Sequence, residues 1–480
     1  MEPVLRCYLE LWYEMHKGMI VHWHRAETSD TVYYRVEGDT SWITQSSVTK
    51  SYPHRSETIH YVILNDLNQD TIYEFRFEGE GVEDIRRFRV LPVLKSRDLV
   101  YCVLSDHQDP LDVEHPQYLS ILTEICNKNP DFVIFNGDFV NCEGEISSAN
   151  SLSWSHIITT WSDHLITDTE GLLIPMLATV GNHEVTPDTR WAGSQVYPPE
   201  YMRLFFYTGW DTDHPQGNDG YGYLTAGDYL LIILTDTNHG HEIDTQTTWL
   251  ENLYSELGNK YKYVVPLEHV IPYPPHRSFT GMWGEIQAIR RQWHPIFKDF
   301  GARFITCGHD HVWSLSVRIN MDESNIDGYE DNSAYRSIIY CGSGPVHPNR
   351  NRSFENSSSW YMESGTSITN FWHFEVKNHE IIANGLDYQG NLLATATQTV
   401  NYLGPNAISI DSVTPNQVVI NIDSYDPSAV AHHMYRLEEP IGSPVNYGVL
   451  IGENIDPTQN FVDTDIVQGN EYFYQMVSYL

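Results

Sequence analysis

The sequence predicts an α/β fold in the middle of the chain, with all-β segments at both ends. Two rhythms carry that reading. Across residues 96–403, short apolar runs alternate with helix-period patterns, as in a layered strand–helix domain. Across 1–95 and 404–480, alternation of period two prevails, with aromatic side chains on one face. At 480 residues the chain is too long for one core, and three domains with these boundaries suit it.

In the first segment, Gly18–Trp23 reads as a strand with Val21 and Trp23 on one face. His22 and His24 share the other face, expected to be solvated. Further on, Tyr73, Phe75 and Phe77 alternate behind the turn LNDLNQDT. A tyrosine opening a strand after such a turn looks like the tyrosine corner of immunoglobulin-like sandwiches. Pro92 and the polar run KSRD then read as a linker.

In the central segment, strands are expected at Leu99–Leu104, Phe132–Phe135, Ile174–Val180, Tyr229–Leu234, Tyr261–Val265 and Arg303–Cys307. Helices are expected near Tyr118–Asn127, Ser148–His164 and Thr247–Leu257. The stretch EIQAIRRQWHPIFKDFG reads as one more, stopped by Gly301. Ser337–Tyr340 and Phe371–Val376 look like added strands.

After NYLGPN the β rhythm returns, with strands expected at Val418–Ile422, Met434–Leu437 and Tyr472–Met476. The last has the look of a second tyrosine corner, which in a seven-stranded sandwich is followed by another strand. The expectation is therefore an incomplete sandwich, completed either by chain beyond Leu480 or by self-association or a partner strand covering its edge.

Composition narrows the functional classes. Hydrophobic residues make up 41% and charged residues 19%, as in a folded protein. There are 64 acidic residues against 28 basic ones, a formal net charge of -36. Such a surface repels polyanions, which argues against nucleic acid as a partner. No apolar run is long enough to span a bilayer, and the N-terminus lacks the basic and apolar regions of a secretory signal. The cellular address stays open, and an extracellular or particle-associated one is compatible. The six cysteines form no CxxC pair, and Cys102 and Cys307 sit inside apolar runs, as core thiols do.

Five blocks carry the chemistry, each at or just after an apolar run: SDHQ (105–108), NGDFVN (136–141), GNHE (181–184), EHVIPY (268–273) and GHDH (308–311). In α/β sheets, ligands gather at the carboxyl ends of strands, so the five converge. Carboxylate oxygens and imidazole nitrogens suit Mn, Fe, Zn or Co, whereas a soft-metal site would use thiolates. One carboxylate can bridge two cations, and two cations can clamp a phosphate.

These blocks resemble the signature of the calcineurin-like metallophosphoesterase superfamily: D-x-H, G-D-x-x, G-N-H-[DE], a lone His and G-H-x-H. An N-terminal β domain ahead of such a core, and the run RRQWHPIFKDFGARFITCGHDH, are similar to the purple acid phosphatases. The resemblance implies a layered β-sandwich metallophosphoesterase core flanked by helices, with immunoglobulin- or fibronectin type III-like domains at both ends. It also implies two divalent or trivalent metal ions. Asp106 and His311 would serve the first, and Asn182, His269 and His309 the second, with Asp138 bridging. His183 would act on the leaving oxygen, with Glu184 as an orienting partner.

Two positions depart from that pattern. Gln108 stands where the family has a second His, which weakens the first metal position. Asn141 stands where purple acid phosphatases have a Tyr, so no tyrosinate colour is expected. Arg190, Arg277 and Arg350 could grip phosphate oxygens, Arg277 best among them because it follows His269 closely. His239 and His241 are expected at the substrate mouth. The reading is metal-dependent hydrolysis of a phosphorylated small molecule, as monoester or diester. The competing reading is a structural or adhesive component of an assembly that keeps such a core as scaffold.

Overall fold

The computed structural model describes residues 3–92, 97–109, 112, 114–141, 145–185, 200–210, 214–227, 229–237, 239, 242–258, 261–280, 284–331, 337–377, 380–399, 402–403, 408–414, 417–422, 431–437, 449–452, 461–464 and 473–479. They form two compact units, one of residues 1–377 and 381–398, the other of residues 378–380 and 399–480.

The first unit is built on two large sheets. One has ten strands, and at its middle Leu99–Leu104, Phe132–Asn136 and Met176–Thr179 run parallel. The other has seven, with Leu230–Leu234, Tyr263–Val270, Phe304–Gly308 and Ile339–Gly342 parallel. These strands are mainly apolar and almost entirely buried, as strands covered on both faces must be.

Helices cover the outer faces. Ser148–His164 starts where the Ser147 side chain accepts the Asn150 amide, and it buries Trp154, Ile157, Ile158 and Trp161 at helical spacing. Pro116–Asn127 starts at the His115 cap with Pro at its first turn. On the second sheet, Ile243–Leu257 and Glu285–Asp299 pack together, the latter burying Ile286, Ile289, Trp293 and Phe297. Gly301, at φ 88°, ends that region as the sequence predicted.

The N-terminal β segment is a sandwich that shares a sheet with the core. Arg6–Leu11 pairs in parallel with Met176–Thr179 through Glu10 and Met176, and Met19–Arg25, Thr58–Leu64 and Val48–Ser51 continue the ten-stranded sheet. Thr31–Val36, Ile43–Ser46, Ile72–Phe77 and Arg86–Arg89 form the opposing antiparallel sheet. Trp23, Phe75, Phe77 and Phe88 fill the space between. The expected tyrosine corner is present, the Asn68 amide donating to Tyr73 Oη at 2.9 Å.

That shared sheet corrects one expectation. His22 and His24 are fully buried rather than solvated. Their face of Met19–Arg25 is covered by residues from the core: His24 stacks on Phe205, and His22 bonds to Glu10, whose carboxylate also accepts the Tyr207 and Thr208 amides.

The second unit contains an antiparallel sheet of Tyr402–Leu403, Phe473–Tyr479, Ala431–Leu437 and Val449–Gly452, and another of Ile408–Thr414, Gln417–Ile422 and Phe461–Asp463. Phe473–Tyr479 is not an edge strand. It pairs along its length with Ala431–Leu437 and at one end with Tyr402–Leu403. Tyr472, expected at its corner, lies outside the described residues, as does Cys142. The other five cysteines are buried and free. Among the described residues no helix is long and apolar enough to cross a membrane.

Candidate metal centre

All five ligand-bearing blocks meet where the two sheets face one another. Asn136 fixes that meeting. Its Nδ2 donates to the carbonyls of Glu268 at 3.0 Å and Thr306 at 2.8 Å on the other sheet, and its Oδ1 accepts from Thr179 Oγ1 at 2.7 Å. A fully buried amide satisfied in this way holds two sheets in register, and leaving its partners unpaired would cost about 1–3 kcal/mol each.

The strand ends are wound tightly. Asp106 (φ 59°), Gln108 (φ 50°), Asp138 (φ 58°), His309 (φ 69°) and His311 (φ 56°) all adopt the left-handed conformation. That region is unfavourable for residues with a Cβ, by about 1–2 kcal/mol each, and such strain concentrates at functional sites. Glycine permits the close approach. A Cβ on Gly181 would lie 2.2 Å from Asp138 Oδ1, and one on Gly308 would lie 2.7 Å from Asp106 Oδ2.

Two sets of three ligand atoms result, each within 4.8 Å of one another: Asp106, Asp138 and His311 in one, Asp138, His269 and His309 in the other. Asp138 belongs to both. Asn182 adjoins the second set, its Oδ1 lying 2.7 Å from His309 Nδ1. Gln108 adjoins the first, its Nε2 donating to Asp138 Oδ2 at 2.5 Å and lying 3.1 Å from His311 Nε2. To offer its carbonyl oxygen to a cation there, the amide must turn half a revolution about its last bond.

The donor set fits cations for a reason visible in the imidazoles. His269 Nδ1 donates to the Asn136 carbonyl and His311 Nδ1 to the Arg350 carbonyl, each at 2.8 Å. With no proton on Nε2, each ring would present a lone pair, at 3.3 Å, to Asp138 Oδ2 and Asp106 Oδ1 respectively. A lone pair facing a carboxylate oxygen is repulsive unless a cation or proton lies between, and this carbonyl-anchored orientation is how metal-binding histidines are held. Burial alone would lower the His269 pKa and raise that of Asp138. Their mutual attraction overrides both, pushing His269 up to about 9 and Asp138 well below the usual carboxylate range.

His183 stands nearer the solvent. Its amide donates to Asp138 Oδ1 at 2.9 Å, and its Nε2 lies 3.9 Å from Asp138 Oδ2. Glu184 is buried. Its carboxylate accepts the amides of Gly181 (2.9 Å), Asp138 (2.8 Å) and Phe139 (2.7 Å), so it braces the loop that carries Asp138.

The arginines are sorted by their partners. Arg277 Nη1 donates to the His309 carbonyl at 2.9 Å and to Asp310 Oδ1 at 3.1 Å, so its guanidinium already has acceptors. Arg350 Nη2 donates to the Gln108 carbonyl at 2.8 Å. Arg352 was missed in the sequence. Its amide donates to the His311 carbonyl at 3.1 Å, and its side chain is half-buried and has no hydrogen bond or ion pair with the described residues. Burial and the neighbouring Arg277 charge weaken its hold on its proton, against the pull of Asp310, Asp106 and Asp138. Its signal in the sequence was only its closeness to Arg350.

His239, expected at the substrate mouth, is instead fully buried, its ring edge-on to His269 with centroids 5.6 Å apart. His241 and Arg190 lie outside the described residues. Asn141 is exposed.

Comparison with known proteins agrees with this architecture. Residues 100–313 match the calcineurin-like phosphoesterase family, and residues 6–90 match the purple acid phosphatase N-terminal domain. The chain is 22% identical to purple acid phosphatase 1 of Ipomoea batatas over 332 residues, which are 65% of this chain and 64% of that relative. It thus spans just under two thirds of that protein's length. Its fold is similar to that of the purple acid phosphatase PPD1 from yellow lupin (Lupinus luteus) seeds, with a TM-score of 0.62 and 13% identity, over 82% of this chain and 74% of that one. It is also similar to PhoD, with a TM-score of 0.57 and 11% identity, over 88% of this chain and 90% of that one. The chain therefore carries a calcineurin-like phosphoesterase domain behind an N-terminal domain of the purple acid phosphatase type.

Proposed function

We propose that this protein hydrolyses phosphate esters at a dinuclear metal centre bridged by Asp138. The observation that carries the reading is the membership of one carboxylate in two separate ligand sets. Asp106, His311 and Gln108 would hold the first cation. His269, His309 and Asn182 would hold the second. Oxygen and imidazole donors without thiolates suit Mn, Fe or Zn. Cations held there would supply Lewis-acid neutralisation of the phosphoryl oxygens and would make water acidic enough to react near neutral pH.

The protein's own groups do the rest. Glu184 and the glycines fix Asp138, so the centre does not reorganise as charge develops. His183 Nε2 lies 3.9 Å from Asp138 Oδ2 on a part-exposed side chain, a place from which an imidazolium could give a proton to the departing ester oxygen. Arg352, with no acceptor among the described residues, offers a guanidinium for a non-bridging phosphoryl oxygen. A formal net charge of -36 favours esters with a small or neutral body over polyanions.

Turnover of a chromogenic phosphomonoester and of a diester, with and without added Mn or Zn, tests the proposal against Asp138→Asn. The expected result is metal-stimulated turnover that the substitution lowers by about 10³-fold or more. Equal rates for the two proteins, or no turnover with metal bound, would leave the scaffold reading standing instead.

A further inference from the structure

A second histidine cluster lies beyond the carbonyl side of Gln108, outside the proposed centre. His347 is fully buried, and among the described residues its Nε2 has no hydrogen-bond partner of good geometry. Asp112 Oδ2 lies 3.3 Å from that atom. The His115 ring stands beside the His347 ring, with centroids 4.8 Å apart. Ligand atoms of Asp112, His115 and His347 all lie within 4.8 Å of one another. Asp109 Oδ2 is 3.8 Å from His347 Nδ1, on the ring's opposite side.

We infer that Asp112, His115 and His347 form a further divalent-cation site, made of residues separate from the ligands of the hydrolytic centre and suited to Zn. Two imidazoles and one carboxylate with an open side match the ligand types and number of three-ligand zinc sites. With His347 Nε2 on the cation, the ring's proton sits on Nδ1, where Asp109 can accept it, a carboxylate–histidine–metal arrangement. Loading gives up two long contacts, the Gln117 amide to His115 Nδ1 at 3.2 Å and the Asn349 amide to His347 Nδ1 at 3.4 Å.

The site's position gives it a role. His347 opens the short turn Pro348–Arg350, and the Arg350 carbonyl orients His311 while its guanidinium holds the Gln108 carbonyl. Asp112 lies on the segment that follows Gln108. A cation joining Asp112 to His347 would clamp both supports of the first metal position.

Equilibrium dialysis of the full chain against Zn, with bound metal counted by mass spectrometry, tests this. Asp112 is half-exposed on its side chain (49%), so Asp112→Asn is a safe first variant, with His115→Gln as the second. Each is expected to weaken one equivalent of bound Zn by about tenfold or more. Asp138→Asn is expected to keep that same equivalent, and Zn should still raise its melting temperature. Wild type, Asp112→Asn and His115→Gln binding the same number with the same affinity would overturn the inference and leave His347 as the partner of two acids. Because Asp138→Asn is scored separately, failure at the hydrolytic centre leaves this result readable.

Discussion

The two ligand clusters of the first unit are made from opposite materials. The Asp138 centre stands on strand ends of two sheets, with every ligand buried and five backbone positions in the left-handed conformation. The Asp112 cluster stands on helix entrances: His115 caps Pro116–Asn127 and His347 caps Pro348–Arg350, each followed by proline, while its carboxylate reaches solvent. The difference teaches what each can do. Strand ends locked by Asn136 and Glu184 hold geometry before any ligand arrives, which transition-state stabilisation requires. Helix caps give up only modest contacts on binding, which suits a reversible clamp.

Substitutions can break or sharpen that contrast. The largest effect is expected at Gly181→Ala. Its Cβ would meet Asp138 Oδ1 at 2.2 Å and the Asp138 amide nitrogen at 2.4 Å, with no flexible neighbour to yield. A loss of about 3 kcal/mol or more in chemical denaturation is expected, together with loss of metal at the Asp138 centre. Wild-type metal content and stability would mean that the centre is softer than its backbone indicates.

Next come the arginines. Arg352→Ala is expected to raise KM for a phosphomonoester about tenfold with kcat little changed, since it removes a phosphate contact. Arg277→Ala should instead lower thermal stability, by about 1–3 kcal/mol, because it leaves Asp310 and the His309 carbonyl unpaired. Reversed outcomes in steady-state kinetics and melting curves would restore Arg277 to the substrate.

The smallest effect, and the sharpest, is expected at Gln108→His. An imidazole there replaces an amide that now donates to Asp138. Tighter binding of one metal equivalent, by about tenfold in competition with a chelator, is expected. Unchanged affinity would place the first cation away from residue 108.

Much of this was legible in the sequence, because the ligands come as tight blocks behind apolar runs. The predicted helix Ser148–His164 matches residue for residue, since Ser147 caps it and its tryptophans and isoleucines keep the 3.6 period. The gathering of the five blocks followed from their places at strand ends, while the individual ligands Asp106, Asp138, Asn182, His269, His309 and His311 followed from the resemblance of those blocks to the family signature. What escaped depended on contacts across the chain. His22 and His24 read as a solvated face because nothing local announces that Phe205 and Glu10 would cover them. His239 read as a mouth residue because a polar loop tip resembles any other until its neighbours are known. Arg352 and Arg277 differ only in whether an acceptor is already in place. The Asp112 cluster joins His115 to His347, two His-Pro steps far apart in the chain.

The central claim is that one carboxylate lies between two cations. Crystals of the full chain grown with Mn and measured at its absorption edge test it most directly. The account predicts two anomalous peaks about 3.5–4 Å apart, one on each side of Asp138. A single peak, or two peaks that share no Asp138 oxygen, would contradict it.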